Sequence, residues 1–189
     1  MRRFSLILLF AAASILGAPA QTLDFNALAV KTLDGRFTQV LESPLLEKPD
    51  VSTGRMQYVR GDKLVWKYET PKLYQLSMLK DRLVVTSSAG AKVTSYADNP
   101  MMEQKRDLMM GLISGDSLRP DAGKFDVSVR EDGNLTIVTM VPRIRQMKKS
   151  FSTIELTFRG LQYTISKVVL SAPDGGKTTI TFSDVKTER

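Results

Sequence analysis

Cysteine and histidine are both absent from the 189-residue chain. The first absence excludes disulfides, thiolate metal sites and cysteine nucleophiles, and the second excludes histidine bases and imidazole ligands. Carboxylate, lysine, serine or tyrosine chemistry remains, but the sequence has no nucleophile-elbow, phosphate-loop or calcium-loop motif. The residues therefore favour a binding protein over an enzyme, and no metal or other cofactor is expected.

The chain also has few long apolar runs and no strong excess of charge of one sign. The chain is 42% hydrophobic and 25% charged, which is typical of one globular domain rather than of a disordered or fibrous protein. The net charge of +7 suits loose attraction to anionic lipid or to an acidic partner. Aromatic residues do not alternate with Lys or Arg as in a base-stacking surface, so nucleic-acid binding is not expected.

The one long apolar run lies at the start of the chain and is typical of an export signal. Arg2 and Arg3 precede an apolar stretch that ends near Leu16, and residues 18–20 (Ala-Pro-Ala) form a small-x-small cleavage pattern. The alternative is a buried N-terminal helix. We predict a signal peptide over residues 1–20 and a single soluble domain over 21–189. Because no cysteine follows the apolar run, the lipid anchor of a bacterial lipoprotein cannot form.

Most of the remaining chain alternates apolar and polar residues with a period of two, the pattern of antiparallel strands with one buried face. The pattern predicts ten strands and a possible eleventh. Gly-containing turns at 131–134 and 173–176 favour tight hairpins. A meander this long must curl, so the predicted fold is mainly β with some α: an unclosed β-barrel covered by short helices. The predicted strands lie near 36–42, 54–60, 63–69, 72–79, 82–87, 92–96, 125–131, 134–141, 151–159, 162–170 and 177–185.

Two segments have helical spacing instead. Residues 24–33 place apolar side chains at helical intervals, which predicts a short N-terminal helix. The second helix is predicted from Asn99, a good N-cap, to about Ser114, with Gly115 at its end. Four of the nine methionines lie in this second helix. Methionine adapts to irregular apolar surfaces, so the helix either covers an apolar cavity or simply plugs the barrel with flexible filler.

Two groups of cations stand out. Arg60 lies on the same predicted strand face as Met56 and Tyr58, so it either reaches carbonyl acceptors inside the barrel or extends to water from the strand end. A basic cluster follows Pro142 and either is a solvated loop or docks on an acidic partner or lipid headgroups. Its members are Arg143, Arg145, Lys148 and Lys149.

The order of several short motifs resembles the periplasmic outer-membrane lipoprotein carrier (LolA-like) family. Phe37-Thr38-Gln39 is followed by Gly54-x-Met56-x-Tyr58-x-Arg60, and then by Leu64-Val65-Trp66 with Pro71 five residues later. The sequence departs from the family at Gly61, where a proline usually follows the arginine. It also lacks an aromatic-rich stretch near residues 87–90.

This resemblance implies an open barrel whose apolar cavity carries the acyl chains of lipoproteins through the periplasm. It implies a carrier that receives cargo from an inner-membrane ABC transporter complex and delivers it to an outer-membrane receptor. We expect the protein to be a monomer. Arg60 would tie the covering helix to the barrel. The other expected cavity residues are Met56, Tyr58, Leu64, Trp66, Met102, Met109 and Ile113. The alternatives are a lipid-sensing regulatory module on the same fold and an enzyme that uses carboxylate or tyrosine chemistry.

Overall fold

The fold is an eleven-stranded antiparallel sheet whose two edge strands do not meet. This computed structural model describes residues 23–119 and 123–189, so the predicted signal peptide lies outside the described residues. The strands are β1 (Thr32–Glu42), β2 (Asp50–Val59), β3 (Lys63–Thr70), β4 (Tyr74–Met78), β5 (Arg82–Ser87), β6 (Gly90–Ser95), β7 (Phe125–Asp132), β8 (Leu135–Pro142), β9 (Thr153–Arg159), β10 (Thr164–Ser171) and β11 (Lys177–Glu188). The helices are α1 (Pro100–Ser114) and α2 (Arg145–Lys148), with 3₁₀ turns at Phe25–Leu28 and Asp116–Leu118.

The sheet consists of two meanders that are joined where the first strand, β1, pairs with the last strand, β11. Strands β1 to β6 pair in chain order, strands β7 to β11 do the same, and β1 pairs with β11 to give the order β6-β5-β4-β3-β2-β1-β11-β10-β9-β8-β7. Gly133 and Gly175 adopt positive φ in the hairpins that the sequence predicted. The predicted fold class and all eleven strands are confirmed.

Helix α1 connects the two edge strands β6 and β7 and packs on the interior of the barrel. The Asn99 side chain accepts a hydrogen bond from the backbone N–H of Met102 at 3.2 Å, Pro100 opens the first turn, and Gly115 ends the helix at φ 84°. Leu112 packs with the β7–β9 half of the core, whereas Ile113 packs with the β1–β4 half. The helix therefore covers both halves of the sheet.

The predicted N-terminal helix over 24–33 is wrong for most of its length. Only Phe25–Leu28 form a 3₁₀ turn, and Leu33 instead lies in β1, where it pairs with Tyr58 of β2 and Thr187 of β11. Leu28 and Leu33 are both buried, so the apolar spacing reflects burial rather than helix. Pairing with strands on both sides satisfies the backbone of β1, which a short isolated helix could not do as well.

Gly54 allows β2, β3 and the Phe37 ring to lie in close contact. A Cβ atom at this position would lie 2.0 Å from the carbonyl oxygen of Lys67 and 2.8 Å from the Phe37 ring. Phe37 in turn packs against Trp66 and Tyr68, with ring centroids 5.0 and 5.2 Å away. The glycine thus permits an aromatic cluster at the centre of the β1–β3 interface.

We predict that Gly54→Ala lowers the free energy of unfolding by about 3 kcal/mol, because backbone atoms of β3 must move to accept the methyl group. Chemical denaturation measures the change. Gly35→Ala is the matched control, since the nearest atom to its Cβ would be the end of the Val185 side chain at 3.3 Å. Equal stability of the two variants would contradict this account of Gly54.

Candidate functional site: an apolar interior beneath α1

The interior of the barrel contains two small apolar cavities. The first, of about 60 Å³, lies between α1 and the strands of both meanders. The second, of about 130 Å³, lies toward β3 and β4. Four side chains border both cavities: Trp66, Met109, Leu170 and Ile180.

The structure places most of the predicted cavity residues on these walls. Met56 and Ile113 line the first cavity and Leu64 lines the second. Tyr58 is buried in the core but faces a polar cleft outside both cavities. Met102 is half-buried and borders neither cavity.

Half of the first cavity's wall comes from strands that the sequence did not assign to a site. Alternating residues on β9, β10 and β11 point inward there. Their period-two pattern in the sequence predicted strands, but it did not indicate that these strands line a cavity. They include Leu156, Phe158, Ile165, Val168 and Phe182.

The Arg60 side chain fastens the C-terminal end of α1 to the barrel. The residue directly follows β2, and its guanidinium donates a 2.8 Å hydrogen bond to the carbonyl oxygen of Ser114 and a 3.1 Å hydrogen bond to that of Val30. It also forms a 3.3 Å ion pair with Asp116. Arg60 therefore joins the end of β2, the N-terminal segment and the end of α1, while its side chain remains 40% exposed.

The hydroxyl of Tyr58, a buried neighbour of Arg60, carries no charge. Burial raises the pKa of the Tyr58 hydroxyl, so this neighbour is neutral at physiological pH. The Ser114 hydroxyl donates to Asp116 at 2.7 Å and holds that carboxylate close to the guanidinium. The last carbonyls of a helix lack intrahelical partners, which makes the carbonyl of Ser114 a natural acceptor for a cation.

A second arginine, Arg106, holds the N-terminal half of α1 to the sheet. Its side chain reaches from the helix to the sheet, whereas that of Arg60 reaches from the sheet to the helix. It projects from the helix and donates a 2.5 Å hydrogen bond to the carbonyl oxygen of Lys80 in the β4–β5 turn. Its Cζ atom lies 4.7 Å from the centre of the Tyr96 ring, just after β6. The side chain is only 17% exposed and also pairs with Asp107 and Glu103. Sequence reasoning missed this residue, because its partners lie on distant turns.

The two guanidiniums line one polar cleft of about 630 Å³ on the outside of α1. Cations and carboxylates are balanced along this cleft. The cations are Arg60, Lys80, Arg106 and Lys124, and the carboxylates are Asp62, Glu103, Asp107 and Asp116.

The predicted basic cluster lies on the surface beyond the cleft. All four of its side chains are exposed, and α2 carries two of them. Arg143 donates a 2.7 Å hydrogen bond to Asp126 of β7. No carboxylate lies within ion-pair distance of Arg145, Lys148 or Lys149 in the described part of the chain.

The surfaces of both cavities are suited to contact with hydrocarbon. The walls of both cavities are almost entirely aliphatic and aromatic. Among residues 23–119 and 123–189, no cluster of three or more carboxylates could hold a metal ion. Within those same ranges no helix is long and apolar enough to cross a bilayer.

The sequence of residues 29–189 matches the family model described as outer membrane lipoprotein carrier protein LolA. The chain belongs to the LolA family. No curated protein sequence matches it. The family resemblance drawn from the spacing of Gly54, Arg60 and Trp66 is thereby confirmed.

Solved structures with TM-scores above 0.5 share this fold at low sequence identity. An uncharacterized conserved protein from Thermus thermophilus has a TM-score of 0.52 at 7% identity, with 87% of this chain and 83% of that chain covered. MucB has a TM-score of 0.51 at 13% identity, and this chain spans 57% of its length while 87% of this chain is covered. A LolA superfamily protein from Nitrosomonas europaea has a TM-score of 0.42 at 8% identity, with coverage of 88% and 91%.

We predict that Arg106→Leu increases amide hydrogen exchange in the N-terminal half of α1. Loss of a charged hydrogen bond of about 1.5–3 kcal/mol should raise the opening equilibrium by tenfold or more. Arg82→Leu is the matched control, because that arginine pairs only with the neighbouring Asp81 and is 47% exposed. Unchanged exchange in the Arg106 variant would show that this contact does not hold the helix.

Proposed function

We propose that this protein is a periplasmic carrier that binds the acyl chains of lipoproteins beneath α1 and delivers them toward the outer membrane. The observation that carries the proposal is an apolar interior closed by a helix that polar contacts hold in place. Family membership supports the cargo class, since the family is described as outer membrane lipoprotein carrier proteins. An inner-membrane transporter complex as donor and an outer-membrane receptor as acceptor belong to the same proposal.

The energetics of a lipid anchor explain why such a site is needed. Each methylene costs about 0.8 kcal/mol to expose to water, so an anchor of several acyl chains cannot cross an aqueous compartment unaided. Trp66, Met109 and the inward residues of β9–β11 provide the required dry surface. The interior is lined by hydrocarbon, as a carrier requires.

The two apolar cavities are too small for this cargo in the lipid-free protein. An engineered apolar cavity of about 150 Å³ holds one benzene molecule, whose carbons are fewer than half those of a long acyl chain. Cavities of about 60 and 130 Å³ therefore cannot accept a chain without expansion. Met109 is one of the four side chains that border both cavities, and its side chain is flexible. We propose that outward movement of α1 and rotation of Met109 join the two cavities.

Arg60 is the residue that we propose sets the balance between the closed and the cargo-bound states. Its bonds to Ser114 and Asp116 exist only while α1 lies on the barrel, so cargo must compete with them. A ligand shifts such an equilibrium only by its differential affinity for the two states. The same contacts re-form when cargo leaves, and in this way they favour release.

We predict that Arg60→Leu binds a fluorescent fatty acid about tenfold more tightly and retains lipoprotein when mixed with acceptor membranes. The closed state loses charged hydrogen bonds that the bound state does not make. Fluorescence titration and a membrane-transfer assay measure the two effects.

Arg55→Leu is the control for this variant, because Arg55 lies on the outer side of β2 and pairs with Asp34. If Arg60→Leu binds the probe and transfers cargo as the wild type does, Arg60 does not control the opening of α1.

The proposed function itself is tested by native mass spectrometry of the protein purified from the periplasm. We expect a fraction of the protein to carry diacyl or triacyl lipopeptide mass. A protein that is bare on purification and also fails to bind lipopeptide in vitro would refute the carrier function.

A further inference from the structure

The cations of a basic patch at α2 form no ion pairs with carboxylates of the described residues. We define the α2 patch as Val141, Ile144, Arg145, Lys148 and Lys149. Its three cations form no ion pairs within the described residues, and the two apolar side chains are 42% and 43% exposed. The surrounding sequence from residue 133 to 154 contains no carboxylate.

The acidic side chain opposite Val141 is already paired with an arginine. Asp126 lies opposite Val141 in the β7–β8 ladder, and the Arg143 guanidinium donates to it at 2.7 Å. Arg143 therefore offsets the charge of this carboxylate. The predicted cluster thus divides into a paired arginine and three unpaired cations.

The fold holds the α2 patch in place rather than on a loose loop. Met147 and Phe151 are partly buried and pack against the core of the β7–β9 half. The backbone N–H groups of Met147 and Lys148 both donate to the carbonyl of Ile144, at 3.0 and 3.1 Å. As a result, Ile144 and the three cations are presented together on the outer surface.

Lys124 connects the α2 patch to the cleft that Arg60 lines. The backbone N–H of Arg143 donates a 2.9 Å hydrogen bond to the carbonyl of Lys124, and Lys124 lines the same cleft as Arg60 and Asp116. A surface bound at α2 would therefore adjoin the position where α1 detaches from the barrel.

We infer that the α2 patch docks on the anionic surface of a lipid bilayer. Exposed apolar side chains among unpaired cations fit the interface of an anionic membrane, where the apolar groups enter the headgroup layer and the cations face phosphates. A purely acidic protein partner would not require the exposed Val141 and Ile144. This inference rests on the proposed function, because docking here brings the Arg60 end of α1 to the membrane that donates or accepts cargo.

Vesicle co-sedimentation tests the inference. Lipid-free protein is mixed with phosphatidylcholine vesicles that either contain or lack phosphatidylglycerol, at low and at high salt. We expect binding to the phosphatidylglycerol vesicles that weakens with salt. The triple variant Arg145→Gln, Lys148→Gln, Lys149→Gln should bind them roughly a hundredfold more weakly.

The matched control variant also removes three positive charges, but from the β1–β6 meander rather than from the α2 patch. Lys67, Lys72 and Lys92 are exposed, and none pairs with a carboxylate in the described residues, so their replacement by Gln should leave vesicle binding near that of the wild type. Equal losses in the two triple variants would show only a net-charge effect and would overturn the inference. Binding of the wild type to neither vesicle would also overturn it and would leave an acidic protein as the partner.

Binding of a fluorescent fatty acid in solution separates this inference from the proposed function. The α2 triple variant should bind the probe as the wild type does, because none of its three altered residues borders either cavity. If the wild type binds the probe but not anionic vesicles, the docking inference fails and the carrier function stands. If it binds anionic vesicles but neither the probe nor lipopeptide, the carrier function fails and the docking surface stands.

Discussion

The apolar interior of an unclosed sheet must be covered, and this constraint governs the rest of the molecule. Edge strands β6 and β7 do not pair, so the barrel has a gap through which hydrocarbon side chains would meet water. Helix α1, which connects these two strands, supplies the cover. Because the cover is a separate element rather than another strand, it can leave without breaking the hydrogen bonds of the sheet.

The contacts that hold α1 combine two kinds of force with different consequences. Apolar packing by Met109, Leu112 and Ile113 favours closure but would be matched or exceeded by an acyl chain in the same space. The hydrogen bonds of Arg60 and Arg106 have no substitute in a hydrocarbon ligand. The first force makes the interior receptive to cargo, and the second sets how strongly cargo must bind to keep the helix open.

The sequence predicted the strands and α1 well because both depend on local patterns. Period-two alternation identified every strand, and Asn99 and Gly115 marked the ends of α1. Leu33 was misassigned because burial on a strand and on a helix can give the same apolar spacing. Arg106 was missed because its partners lie in the β4–β5 turn and after β6, and the small size of the cavities depends on side-chain packing that no local pattern encodes.

The absence of cysteine makes the central claim, that α1 moves away from the barrel when lipid binds, directly measurable. Spin labels on cysteines introduced at the exposed positions Gln104 of α1 and Lys67 of β3 report the distance between helix and sheet by electron paramagnetic resonance. We expect one short distance in lipid-free protein and a longer distance when lipopeptide is added. An unchanged distance in protein that has demonstrably bound lipopeptide would contradict the account.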